Sequence, residues 1–119
     1  MADLAIQDVV EAGLQVTYVN AASGGDAALN IDGDVILHAR NTDAAARTVT
    51  VAAQDASEDV PGFGAMTKPN VQVAVPAGEE RFIGPFPKRA FNDVSNKVQI
   101  TYSAVTNLMI AALRVPRAK

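Results

Sequence analysis

The stretch VQVAVPAGEERFIGPFPKRAFND, residues 71–93, decides the fold class. Val71, Val73 and Val75 alternate with Gln72, the period of a half-buried strand. Pro76 and Gly78 supply a turn, and a second strand starts at Glu79–Glu80 and runs to Ile83, its charged residues wet and Phe82 or Ile83 facing inward. Pro85 and Pro87 then stop that strand, because a proline has no N–H to give a ladder. Phe86 between them is placed to plug the end of a core.

The same period recurs along the chain. Leu14, Val16 and Tyr18 alternate with Gln15 and Thr17. Val35, Leu37 and Ala39 lie opposite His38 and Arg40, and Val49 and Val51 alternate with Thr48 and Thr50. Val98, Ile100 and Tyr102 stand against Lys97, Gln99 and Thr101. Residues 108–115 are apolar on both faces, so this strand is central and covered on both sides, or buried by another subunit. The links 41–46 (NTDAAA) and 104–107 are short enough to be hairpins. The links 20–34 and 54–70 are long, and the second carries apolar Phe63 and Met66, which makes it the better candidate contact loop. Ile6, Val9 and Val10 sit at helical spacing between Asp3 and Gly13, while Leu4 and Ile6 equally begin a strand; both alternatives stay open. The expectation is an all-β chain: one antiparallel β-sandwich of seven to eight strands with Greek-key or jelly-roll connections, with room for one short N-terminal helix over 6–12.

A chain of 119 residues makes one domain, 1–119, long enough to bury a core without cross-links. It has no cysteine, which removes thiol chemistry and disulfides. The net charge of −3 and a pI of about 4.9 argue against nucleic acid as a partner. Lys88–Arg89 and the Arg114, Arg117, Lys119 tail read as solvated tips. Asp3 and Asp8 stand where a secretory leader carries positive charge, and no apolar run reaches the length of a membrane span, so a soluble protein made in the cytoplasm is expected.

The search for catalytic chemistry gives no site. His38, the only histidine, lies within a strand and has no serine or cysteine nucleophile in a recognisable elbow, so it reads as a packed or surface residue. Asp26, Asn30, Asp32 and Asp34 offer oxygen ligands, but the spacing lacks the bidentate glutamate and flanking helices of a calcium loop, and Asp32-Gly33 reads as a turn. Glu79 and Glu80 are consecutive strand residues that point to opposite faces and cannot flank one scissile bond. Gly24-Gly25 lacks the lysine of a phosphate loop. Without tryptophan, and with Tyr18 and Tyr102 on inferred core faces, sugar stacking has little to use. No enzyme, metal or cofactor is expected.

The pattern GEER-x-IGPFP-x-x-FND within 75–93, the strand VQITYS and the closing apolar strand together resemble small proteins of tailed bacteriophages encoded beside the major capsid protein. The similarity runs from AGLQVTY onward, over most of the chain. It implies a capsid decoration (cement) protein: a β-rich virion subunit made in the host cytoplasm. Such a subunit binds the outside of the expanded head, has the major capsid protein as partner, often clusters as trimers, and has no contact with membrane or nucleic acid. A head–tail connector or tail accessory subunit is the alternative, and a carbohydrate-binding module a third. The resemblance fixes no contact position, so Phe63, Met66, Leu108 and Ile110 are candidates on apolarity alone.

Overall fold

Period-two alternation becomes two packed sheets in the computed structural model, which describes residues 2–54, 57–62, 64–67 and 69–115. The strands are β1 (Ala2–Asp3), β2 (Ile6–Asp8), β3 (Val19–Asn20), β4 (Asp26–Leu29), β5 (Val35–Asn41) and β6 (Arg47–Val51). They continue with β7 (Ser57–Val60), β8 (Gly64–Thr67), β9 (Val71–Val75), β10 (Glu80–Ile83), β11 (Lys97–Tyr102) and β12 (Leu108–Arg114), and a single helical turn, α1 (Lys88–Phe91), precedes β11. The first sheet has the order β1-β4-β11-β6-β9; the second has β10-β5-β12-β2, with β3 also on β12; β7 and β8 form a two-stranded sheet of their own among the described residues.

The pairing is nested. β7 with β8, β6 with β9, β5 with β10 and β4 with β11 are all antiparallel. This is one long two-stranded ribbon, its tip at β7–β8, wound into a sandwich: the jelly-roll arrangement. β12 extends the second sheet by pairing with β5, and the short strands β1 and β2 add in parallel to β4 and β12. The segments outnumber the seven or eight expected because β1, β2 and β3 add to the edges of the roll and β7–β8 forms a separate hairpin at its tip.

Alternation explains which side chains fill the gap between sheets. On β5, Val35, Leu37, Ala39 and Asn41 are buried toward the first sheet. Val49 and Val51 of β6, Val98 and Ile100 of β11, and Leu108 and Ile110 of β12 meet them in one cluster. Each fully buried branched side chain contributes about 1.5–3 kcal/mol relative to exposure. Phe86 and Phe91 close one end of this core, edge to face with centroids 5.5 Å apart, as expected of Phe86.

Several expectations are corrected. The links 41–46 and 104–107 are not hairpins: β5 and β12 lie in the second sheet, β6 and β11 in the first, so both links are arches between sheets. Their backbones bond side by side, with Thr42 N–H and Oγ1 donating to Asn107 O at 3.0 Å each. Asn41 fixes the bend by donating to Ala45 O (2.9 Å) and Val75 O (3.0 Å) and accepting from Asp43 N–H (3.0 Å). The link 20–34 contains strand β4, and 54–70 contains the β7–β8 hairpin. The N-terminal segment forms β1 and β2, not a helix over 6–12, and the one helical turn among the described residues is α1. Residues 14–18 keep an alternating burial pattern but join no ladder; instead the Gln7 side chain donates to Thr17 O (2.8 Å) and accepts Thr17 N–H (2.9 Å).

Candidate functional site

The motif 79–93 divides into a buried weld and an exposed face. The weld begins at Gly84, whose φ of +119° belongs to glycine; a Cβ there would meet Val35 O and the Phe86 ring at 3.1 Å each. The chain then packs Phe86 and Phe91 into the core, and Asn92 meets Asn30. Asn30, fully buried, donates to Phe86 O (3.0 Å) and Asn92 Oδ1 (2.9 Å) and accepts a longer bond from Val35 N–H (3.4 Å). Asn92 Nδ2 returns a bond to Asn30 O at 2.7 Å. Asp93 holds the following turn by accepting from Ser95 N–H (2.8 Å), Lys97 N–H (3.1 Å) and Gln99 Nε2 (2.6 Å). These donors, the Gln99 amide foremost, hold its carboxyl below the ordinary aspartate value. The residues that make this segment recognisable therefore serve the fold.

The exposed face is the outer side of the second sheet at β5 and β10. Cross-strand register sets Phe82 opposite His38 and Glu80 opposite Arg40. Ile83 faces inward, so it is Phe82 that points out. The Phe82 ring stacks on His38 with centroids 4.2 Å apart and planes 10° from parallel, yet Phe82 keeps 67% exposure. His38 is 6% exposed and engages both ring nitrogens. Nε2 lies 2.9 Å from Glu80 Oε1, and Nδ1 lies 2.6 Å from the Tyr18 hydroxyl. An ionised carboxylate only accepts, so in the neutral ring the proton sits on Nε2 and Tyr18 donates to Nδ1. Burial first, then the nearby charge of Glu80, raises the Tyr18 hydroxyl above its ordinary value, against the opposing pull of Arg40, so it remains a donor at neutral pH. Arg40 lies 5.9 Å above the Tyr18 ring. The chain Tyr18–His38–Glu80 ends at a solvent-facing carboxylate; its effect is to lock the platform beneath Phe82. Tyr18 thus lies on the outer face against His38, not on the core face expected for it, because residues 14–18 join no ladder and Thr17 is held by the Gln7 side chain.

The candidate contacts fall in different places. Leu108 and Ile110 are fully buried between the sheets; the strand is apolar on both faces because it is central, so these two side chains are corrected from partner surface to core. Met66 lies in β8 opposite Glu58, and Phe63 lies outside the described residues. The acidic positions of the link 20–34 separate too. Asp26 is buried and accepts from Tyr102 Oη (2.6 Å) and Ala22 N–H (3.2 Å), Asn30 belongs to the weld, and Asp32 lies 3.5 Å from Arg114. An apolar pocket of about 240 Å³ opens where β2 and β3 diverge along β12, lined by Leu4, Val19 and Ala111 among others. Among the described residues no helix is long and apolar enough to cross a membrane.

The sequence leaves Phe82 or Ile83 as the inward residue and does not single out Phe82 as a contact, and the platform is not visible there either, since Tyr18, His38 and Glu80 come from three separate segments. No family model, curated protein or solved structure matches the chain.

Proposed function

We propose that this chain is a capsid decoration subunit of a tailed bacteriophage, seated on the outer surface of the expanded head and holding neighbouring capsid proteins together. The observation that supports it most is Phe82. This residue lies inside the segment that carries the resemblance, and it is held outward as an exposed aromatic on a buried histidine. Rigid aromatics of this kind anchor protein interfaces, because little side-chain entropy is lost when they are covered. Beside it Glu80, half-exposed and 2.9 Å from His38 Nε2, supplies a polar rim. A jelly roll whose recognisable motif serves packing, with an aromatic left outside, suits a structural subunit that holds its partner by surface contact. Repetition over a lattice then supplies avidity, which raises apparent affinity by roughly 10²–10⁴ when several contacts form at once.

Co-sedimentation tests this. The chain is expected to pellet with expanded heads and to bind unassembled capsid subunits weakly, and Phe82→Ala is expected to lose head binding while keeping its fold. Equal binding to heads and free subunits, or undiminished binding by the variant, counts against the reading.

A further inference from the structure

The edges of the two sheets are not protected alike. Natural sheets guard free edges with charge, proline or shortness, because an unpaired edge recruits other strands. Here β10 carries Glu80 and Arg81, β1 is two residues long, and the far side of β12 is divided between β2 and β3. β9 differs: Val71–Val75 forms the end of the first sheet over five residues with no charge and no proline.

Its free groups follow from the register. Thr48 and Ala52 bond toward β11, through Ser103 N–H to Thr48 O (2.9 Å) and Ala52 N–H to Gln99 O (3.0 Å). Alternation therefore turns Arg47, Val49 and Val51 toward β9, where they meet Val75, Val73 and Val71. Gln72 and Ala74 are left with N–H and C=O directed away from the sheet, and both residues are exposed.

We propose that this edge pairs antiparallel with the same edge of a second copy, about a two-fold axis at Val73. VQVAV reads almost the same in either direction, so the axis sets Val73 against itself, Gln72 against Ala74 and Val71 against Val75. Gln72 and Ala74 of the two copies form the narrow pairs, giving about four interchain hydrogen bonds. No like charges meet. Val71 and Val73 are half-buried against the core, and across the axis Val73 meets its own copy while Val71 faces Val75. The two first sheets become one continuous sheet, an isologous contact that closes at two chains. Nothing in this pairing depends on the capsid reading, and the isolated chain tests it.

Sedimentation equilibrium is expected to show a reversible rise from one chain mass to two with concentration. Ala74→Pro is expected to leave a monomer with unchanged circular dichroism, because that N–H makes no bond within the sheet and the ring blocks the outside approach. Gln72→Lys, a guarding charge without backbone change, is expected to do the same. Val73→Cys adds the chain's only cysteine at a wide pair with Cα atoms about 4.5 Å apart, within disulfide reach, so oxidation is expected to yield a covalent dimer. A monomer at every concentration, a trimer, or a dimer that persists in both edge variants overturns the proposal; a monomer that binds an extended segment of another protein at β9 does so as well.

Discussion

Asn30→Ala tests whether the weld between the link 30–34 and the motif 79–93 holds this end of the sandwich. The side chain is fully buried and donates two bonds of ordinary length, to Phe86 O and to Asn92 Oδ1, plus the longer contact from Val35 N–H. Alanine leaves Phe86 O without its donor inside the core and Asn92 Oδ1 without its donor at a half-buried position. At about 1–3 kcal/mol for a buried group left unsatisfied, with the half-buried Asn92 oxygen counted at the lower end and the long contact discounted, the expected loss is about 2–4 kcal/mol. That is a large part of the 5–15 kcal/mol typical of a domain. Urea unfolding followed by circular dichroism should show a lower midpoint with an unchanged slope. Asn30→Asp sharpens the test, because it keeps the size and turns the donor into an acceptor facing two other acceptors. It should be at least as unstable as the alanine variant at neutral pH, and should recover relative to it on acidification, when the acid regains a proton to donate. A loss below about 1 kcal/mol for alanine, or an aspartate variant as stable as the parent, refutes the reasoning.

Tyr102→Phe removes the 2.6 Å bond to buried Asp26 and should cost about 1.5–3 kcal/mol at neutral pH, measured by the same unfolding curves. Burial, then the bond and charge of Asp26, raise the Tyr102 hydroxyl well above its ordinary value. The unfolded tyrosine ionises near pH 10, so the parent loses stability as pH climbs past about 10, and the phenylalanine variant should show a shallower alkaline fall. Asp93, held below its ordinary value, contributes stability that is present above about pH 4 and lost as pH falls through its lower folded value. Asp93→Asn should therefore flatten the acid limb of the stability profile.

Alternation in the sequence was enough to read most of β5, β6, β9, β10 and β11, because each buries one face and leaves the other wet. It did not read β4, where Ala27 and Ala28 are almost fully buried but alanine carries little strand or hydrophobic signal. The arches read as hairpins because a short polar link says that two strands are near, not which sheet each joins; that choice rests on bonds between distant positions, Asn41 to Val75 and Thr42 to Asn107. Residues 14–18 alternate like a strand yet are held by the side chain of Gln7, a bond no periodicity reports. Apolar Leu108 and Ile110 suggested a surface for a partner, when a strand covered on both sides needs such residues simply to be central. The Tyr18–His38–Glu80 platform was out of reach, since its members become neighbours only through the register of β5 with β10 and the path of residues 14–18 across the outer face.

The proposed decoration role is decided by the copy number and position of the chain on purified particles, read by quantitative mass spectrometry together with labelling of the intact shell. Copies are expected over the whole outer lattice in fixed proportion to the major capsid protein. A single ring of copies at one vertex, or on the tail, would contradict it and identify a connector or accessory subunit instead.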